Sequence, residues 1–197
     1  MAFIAFLGCD GSGKSAVIEQ LAQVLRSSGS NVWCGHWRPQ SLDQKVSSQH
    51  ISSADDPHGQ APRGALTSVI KLVWLWLNWW IGWIKTLGHN SKRGYVIYDR
   101  YHGDLRVDPI RYRYGGPRIL AEWASNLMPQ PDIVFFLDAD PDVLLSRKQE
   151  VSRVALTKSR EAYLQLTKCH SRFCVIDASQ PLDQVVENVL KQTKDLS

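Results

Sequence analysis

The chain has 197 residues, enough for one well-filled domain of ordinary size. A hydrophobic fraction of 44% and a charged fraction of 21% exclude a disordered chain. The net charge of +4 suits an anionic ligand such as a nucleotide. Its basic residues between 92 and 172 are dispersed, so no nucleic-acid partner is expected.

Apolar runs alternate with helical patterns along the chain. Ala2–Leu7 reads as a buried strand that passes directly into a glycine loop, without the basic leader or cleavage site of a signal peptide. A helix over 14–27 places Val17, Ile18, Leu21, Val24 and Leu25 on one face. After a strand near Asn31–Cys34 comes a polar loop at 41–65, rich in Ser, Asp, Gln, Pro and Gly; loops of this length inside compact domains are usually functional or disordered. A very apolar helix at 69–85 then holds five of the eight tryptophans. It falls short of the about 20 apolar residues of a membrane span and is interrupted by Lys71 and Asn78, so no transmembrane span is expected. Lys71, Asn78 and Lys85 make one narrow polar stripe, which predicts a helix buried around most of its girth. Two readings of that helix stand: a core helix that also makes a homodimer contact, or a site for a lipid-linked or amphipathic partner.

Further strands are predicted at Tyr95–Tyr98, Ile133–Leu137 and Phe173–Ile176, with helices near 117–127, 141–149, 152–168 and 182–191. Short continuous apolar strands alternating with helices predict a doubly wound α/β domain with a parallel sheet, spanning 1–197 as one unit. Ligands of such sheets bind at the carboxyl ends of the strands. Cys9, Cys34, Cys169 and Cys174 lack zinc-type spacing and read as reduced thiols of a cytoplasmic protein.

Residues 8–15, Gly-Cys-Asp-Gly-Ser-Gly-Lys-Ser, satisfy G-x-x-x-x-G-K-[ST] between a strand and an amphipathic helix. Average residue usage makes this coincide by chance in about one chain in a hundred, before the flanking strand and helix are required. The loop through Gly8, Asp10, Gly11, Ser12 and Gly13 can cup phosphate in its backbone N–H groups at a helix start. Lys14 can reach the β- and γ-phosphates, and the Ser15 hydroxyl suits Mg²⁺. No Asn-Lys-x-Asp guanine motif exists, and Asp56-Pro57-His58-Gly59 follows no strand, which points to ATP. Asp99 ends a buried strand and is suited to hold Mg²⁺ directly or through water, while Arg100 beside it can clamp an acceptor or the moving phosphoryl group.

Phe6–Ser15 resembles the opening of thymidylate kinases, Asp99-Arg100-Tyr101 their D-R-[YFHS] element, Pro131–Asp138 their P-D-hydrophobic-L-D strand, and Val175–Ala178 their final strand. The resemblance implies a five-stranded parallel sheet of the P-loop NTPase type, use of Mg·ATP, and a homodimer. It also implies that the 147–163 stretch, with Arg147, Lys148, Arg153, Lys158 and Arg160, closes over ATP as a lid. Arg147 resembles the family's helix-borne Arg and is assigned with Lys14 and Arg100 to catalysis, and with Arg153 to nucleotide binding. Departures gather on the acceptor side. His36-Trp37-Arg38-Pro39 stands where Arg-Glu-Pro or Phe-Pro is usual, and Gly103–Pro117 replaces the Ser and Ala-Tyr-Gln stretch of the thymidine pocket. The altered segment resembles that of thymidylate-kinase-like proteins found beside polysaccharide enzymes. Arg38, Arg100, Tyr101, Asp104, Arg111 and Tyr114 are assigned to the acceptor, because Arg forks phosphate and Tyr offers a stacking face with a hydroxyl. Three functions remain open: phosphoryl transfer to a nucleoside monophosphate with dTMP as the family default, transfer to a sugar or glycan hydroxyl, or a non-catalytic nucleotide-binding subunit.

Overall fold

The computed structural model describes residues 1–36, 64–89, 94–101, 107, 114–148, 151–168 and 171–193. Five parallel strands lie in the order β2-β3-β1-β4-β5: β1 is Ala2–Leu7, β2 Asn31–His36, β3 Gly94–Asp99, β4 Ile133–Asp138 and β5 Phe173–Asp177. The described helices are α1 Lys14–Ser27, α2 Ala65–His89, α3 Arg118–Asn126, α4 Pro141–Arg147, α5 Arg153–Lys168 and α6 Leu182–Thr193. This is the doubly wound α/β sheet of a P-loop NTPase, as the apolar pattern and the glycine loop anticipate. The polar loop expected at 41–65 lies almost wholly outside the described residues.

All six residues of β1 are buried, because the strand is central and both of its faces are covered. β2, at an edge, is half exposed and shows no such run. Strands β2, β3, β4 and β5 each extend one or two residues past the apolar stretch, ending on His36, Asp99, Asp138 and Asp177. The ladder carries them there: His36 pairs with Asp99 and Asp138 with Asp177. Backbone pairing continues into polar tips, and those tips line the carboxyl edge of the sheet.

The β1→β2 connection runs toward one edge of the sheet and the β4→β5 connection toward the other. Right-handed crossovers therefore put α1 and α5 on opposite faces. Trp83 of α2 lies on Phe3 with ring centroids 4.7 Å apart, and Tyr163 of α5 stacks on Phe136 at 5.1 Å. Helices α1 and α6 pack together, as do α2 and α3.

Helix α2 corrects one expectation. It is not buried around most of its girth: Leu72 and Trp83 are buried and Trp76 and Trp80 pack on the core, but Ile70, Val73, Trp74, Leu77, Ile81 and Ile84 are each half exposed or more. Lys71 is half-buried, so the lysine does not mark a solvent face. Among the described residues no helix is long and apolar enough to cross a membrane.

Candidate active site

The glycine loop joins β1 to α1 at the carboxyl edge of the sheet, one strand from both β3 and β4. Gly11 takes φ 84, and a Cβ there would sit 2.7 Å from the Leu144 carbonyl, so the loop rests directly on the backbone of α4. Gly13, at φ 81, starts α1 with no side-chain cap, which leaves the first N–H groups of the helix directed at the loop. Lys14 is buried, and its ammonium donates to the carbonyls of Gly8 at 2.9 Å and Cys9 at 3.0 Å and to Ser12 Oγ at 3.4 Å. The charge is thus held across the mouth of the loop by uncharged acceptors that anionic phosphate oxygens can replace. Ser15, in the first turn of α1, is exposed. Burial pushes the Cys9 thiol up to about 11, with the Lys14 charge working against that rise. Cys9 is therefore a protonated packing residue at neutral pH.

The β1–β3 ladder pairs Phe6 with Asp99, which sets the Asp99-Arg100 corner beside the loop. Asp99 Oδ1 is buried and has no hydrogen-bond partner among the described residues, and Oδ2 lies 4.0 Å from His36 Nε2. Arg100 has φ 67, a left-handed conformation that costs a non-glycine residue of order 1–3 kcal/mol and is held only where surroundings impose it. Here its N–H donates to Phe6 O at 2.9 Å and its guanidinium meets Asp10 of the loop at 2.7 Å, both side chains largely buried. The loop and the corner are one unit.

For Mg²⁺, a hard cation that keeps several waters and takes one or two protein oxygens beside the substrate phosphates, Asp99 and Ser15 make a suitable pair. The partnerless buried Oδ1 of Asp99 is the observation that fits it. Among the described residues no group of three or more His, Cys, Asp or Glu side chains forms a dedicated metal cage.

The remaining assigned residues are placed as follows. Tyr101 is 2% exposed, turned into the core against Phe3 and Tyr98, with its hydroxyl donating to Pro129 O. Its place is the packing beneath the corner and not an acceptor-facing wall. Tyr114 closes a local turn through a 2.9 Å bond from its hydroxyl to Pro117 O. Arg147 reaches Ala178 O at 2.9 Å, bringing the end of α4 to the loop after β5. Arg153 forks Asp142 at 2.9 and 2.8 Å on the exposed outer side of α4. Arg38, Asp104 and Arg111 lie outside the described residues.

Two pairs escape sequence reasoning. Arg160 forks Asp138 at 2.6 and 2.8 Å, and that bond is the main cause of its raised pKa. Asp10 is visible as a loop residue, but its partner lies 90 positions away. No periodicity announces such pairs. Their one signal is that both carboxylates end or follow a predicted strand.

The family model described as thymidylate kinase matches residues 84–189, more than half of the chain. Thymidylate kinase of Thermosipho africanus is 28% identical over 205 residues, covering 95% of this chain and 94% of that protein. Probable thymidylate kinases of Sulfolobus acidocaldarius and Archaeoglobus fulgidus are each 25% identical, covering 95% of this chain and 93% and 92% of theirs.

Proposed function

Because the chain belongs to the thymidylate kinase family, and is thus an ATP-dependent nucleotide kinase, we propose that its acceptor is dTMP and its products ADP and dTDP. The observation that carries this reading is the 2.7 Å ion pair between Asp10 and Arg100. It joins the loop that holds the donor phosphates to the corner from which an acceptor phosphate is reached. The family match favours a nucleotide acceptor over a sugar hydroxyl. A phosphate acceptor also needs no general base, only cations that position it.

In this reading the backbone N–H groups of residues 8–15 hold the β- and γ-phosphates, and Lys14 spreads its charge over the oxygens that gain charge in transfer. Arg100 orients the acceptor phosphate in line. Arg147 holds the nucleotide side, and the 147–163 lid, Arg153 included, excludes water that would otherwise accept the phosphoryl group. Ser15 and Asp99 would hold Mg²⁺, which supplies neutralisation of the β- and γ-phosphates when bound with ATP. Because the transition state is loose, positioning and electrostatics account for the catalysis asked of these residues. The same proposal has the enzyme work in the cytoplasm as a homodimer joined through α2.

ADP formation across a panel of nucleoside monophosphates and sugars tests it, with dTMP expected to give the highest kcat/KM. Stimulation by sugars and not by dTMP would sink the acceptor assignment. Lys14→Ala is expected to lower kcat by on the order of 10²–10³ with the far-UV spectrum unchanged; full activity would remove the kinase assignment.

A further inference from the structure

The basic residues of α5 divide between its two sides. Arg153, Lys158 and Lys168 are exposed. Arg160 is on the inward face instead, four residues after buried Leu156 and three before buried Tyr163, the ring that stacks on Phe136 of β4. A charged side chain in such a place needs a partner, and Asp138 at the tip of β4 is that partner. It accepts from Nε at 2.6 Å and from Nη2 at 2.8 Å. The fork occupies one edge of the planar guanidinium. Among the described residues nothing occupies the other: Nη1 makes no hydrogen bond, and the side chain is 31% exposed.

The pair stands beside the phosphate loop. The ladder pairs Leu7 with Phe136, and a Cβ at Gly8 would lie 2.9 Å from Leu137 O, so Asp138, the next residue, flanks Cys9. The Asp138 carboxylate adds to the rise of the Cys9 thiol, and Arg160 is likewise within Coulomb reach of Cys9. Lys14 donates to the carbonyls of Gly8 and Cys9, so the two cations serve the same end of the loop, Lys14 from within it and Arg160 from the β4 side. The other arginines of this region are placed differently: Arg147 has spent Nη1 on Ala178 O, and Arg153 is forked on the exposed Asp142. We propose that Arg160 is a catalytic cation of the donor side, its Nη1 edge meeting the oxygens of the transferring γ-phosphoryl group, and that Asp138 is the positioning residue that fixes it at the sheet edge before nucleotide arrives. This cation is preorganised by a strand tip and not carried in by a moving lid. As an acceptor-phosphate oxygen bonds to the γ-phosphorus, the bond to the β,γ-bridging oxygen breaks and ADP leaves with the electron pair, while Arg160 and Lys14 face the charge spread over the moving group. The inference rests on the proposed kinase reaction for its kinetic readout and not for its binding readout.

The test compares two ligands on the full chain by calorimetry with Mg²⁺ present: ADP, which has no γ-phosphate, and β,γ-imido-ATP, which has one that is not transferred. For Arg160→Gln, ADP affinity is expected to stay within about twofold while imido-ATP affinity falls roughly tenfold. With dTMP as acceptor, kcat falls on the order of 10²–10³ and KM for dTMP stays within about twofold. Arg160→Lys, which keeps the charge without the fork, is expected to give an intermediate kcat. Asp138→Asn lowers the imido-ATP to ADP affinity ratio in the same direction by roughly three- to fivefold. Lys168→Gln, at the far end of α5, changes none of these values. Equal losses for the two ligands in Arg160→Gln make the residue structural and overturn the proposal. So does a loss of imido-ATP affinity in Arg153→Gln with none in Arg160→Gln, which assigns the contact to the outer arginine. If Arg160→Gln does not fold by circular dichroism, the affinity ratios of Arg160→Lys and Asp138→Asn decide in its place, and unchanged ratios in both overturn the proposal. If the unmodified protein phosphorylates no nucleotide, the acceptor reading fails separately and the two-ligand comparison still decides the role of Arg160.

Discussion

Helix α5 carries two arginines that fork carboxylates with nearly the same geometry, Arg160 on Asp138 at 2.6 and 2.8 Å and Arg153 on Asp142 at 2.9 and 2.8 Å. They differ in surroundings. The Arg160 and Asp138 side chains are 31% and 17% exposed, those of Arg153 and Asp142 64% and 66%. Geometry is thus held constant while solvent screening changes. For the exposed pair, Coulomb attraction of about 1 kcal/mol in water is largely offset by the entropy of two long side chains, leaving roughly 0.2–1 kcal/mol. The sheltered pair has charge-assisted bonds of about 1.5–3 kcal/mol, reduced by partial exposure to about 1–2 kcal/mol.

Two double-mutant cycles measure this by urea unfolding: Arg160→Gln with Asp138→Asn, and Arg153→Gln with Asp142→Asn. The cycle removes what each residue does alone, including the place of Asp142 in the first turn of α4. The Arg160–Asp138 coupling is expected to exceed the other by about 1 kcal/mol. In 1 M salt, where the Debye length is about 3 Å, the outer coupling vanishes and the inner one persists. Equal couplings, or a larger one for the outer pair, would refute the reasoning that shelter from solvent makes the Arg160–Asp138 pair the stronger.

Two more outcomes follow from the glycine loop. Gly11→Ala forces a left-handed alanine whose Cβ approaches the Leu144 carbonyl to 2.7 Å, so ATP affinity measured by calorimetry is expected to fall at least about tenfold; unchanged affinity would mean that the loop tolerates displacement from α4. Cys9 has its thiol raised from 9.0 to about 11, so the folded state holds its proton after the unfolded chain has released it. Stability from this group is complete below pH 9 and declines by about 2–3 kcal/mol as pH rises to 11. Denaturation of Cys9→Ala across the same range is expected to lack that component, and parallel profiles for the two proteins would contradict the assigned burial effect.

The parallel sheet was legible because its signal is local. β1 and β4 are continuous apolar runs, each ended by a polar or glycine punctuation, and a strand covered on both faces requires that composition wherever it lies in the chain. The loop at 8–15 was legible for the same reason, since all the atoms that cup a phosphate come from eight consecutive residues. Orientation was harder to read. Arg100 and Tyr101 are adjacent and both suit an acceptor, yet the left-handed turn at Arg100 sends one guanidinium to Asp10 and the next ring into the core against Phe3. Helix α2 is apolar on nearly every side, so its periodicity cannot separate the face that meets Phe3 from the face that meets water.

The arginines of α5 show the remaining gap. Their spacing marks a basic helix, but what each cation does depends on which strand tip stands opposite. That is a property of the order β2-β3-β1-β4-β5 and not of α5 itself. Asp138 ends β4 next to β1, and so the arginine that reaches it, Arg160, comes to the phosphate loop. Arg153, seven residues earlier, meets Asp142 on the outer turn of α4 instead. The same helix therefore holds one arginine sheltered against a strand tip and another paired on an exposed turn, and the register of α5 against β4 decides between them.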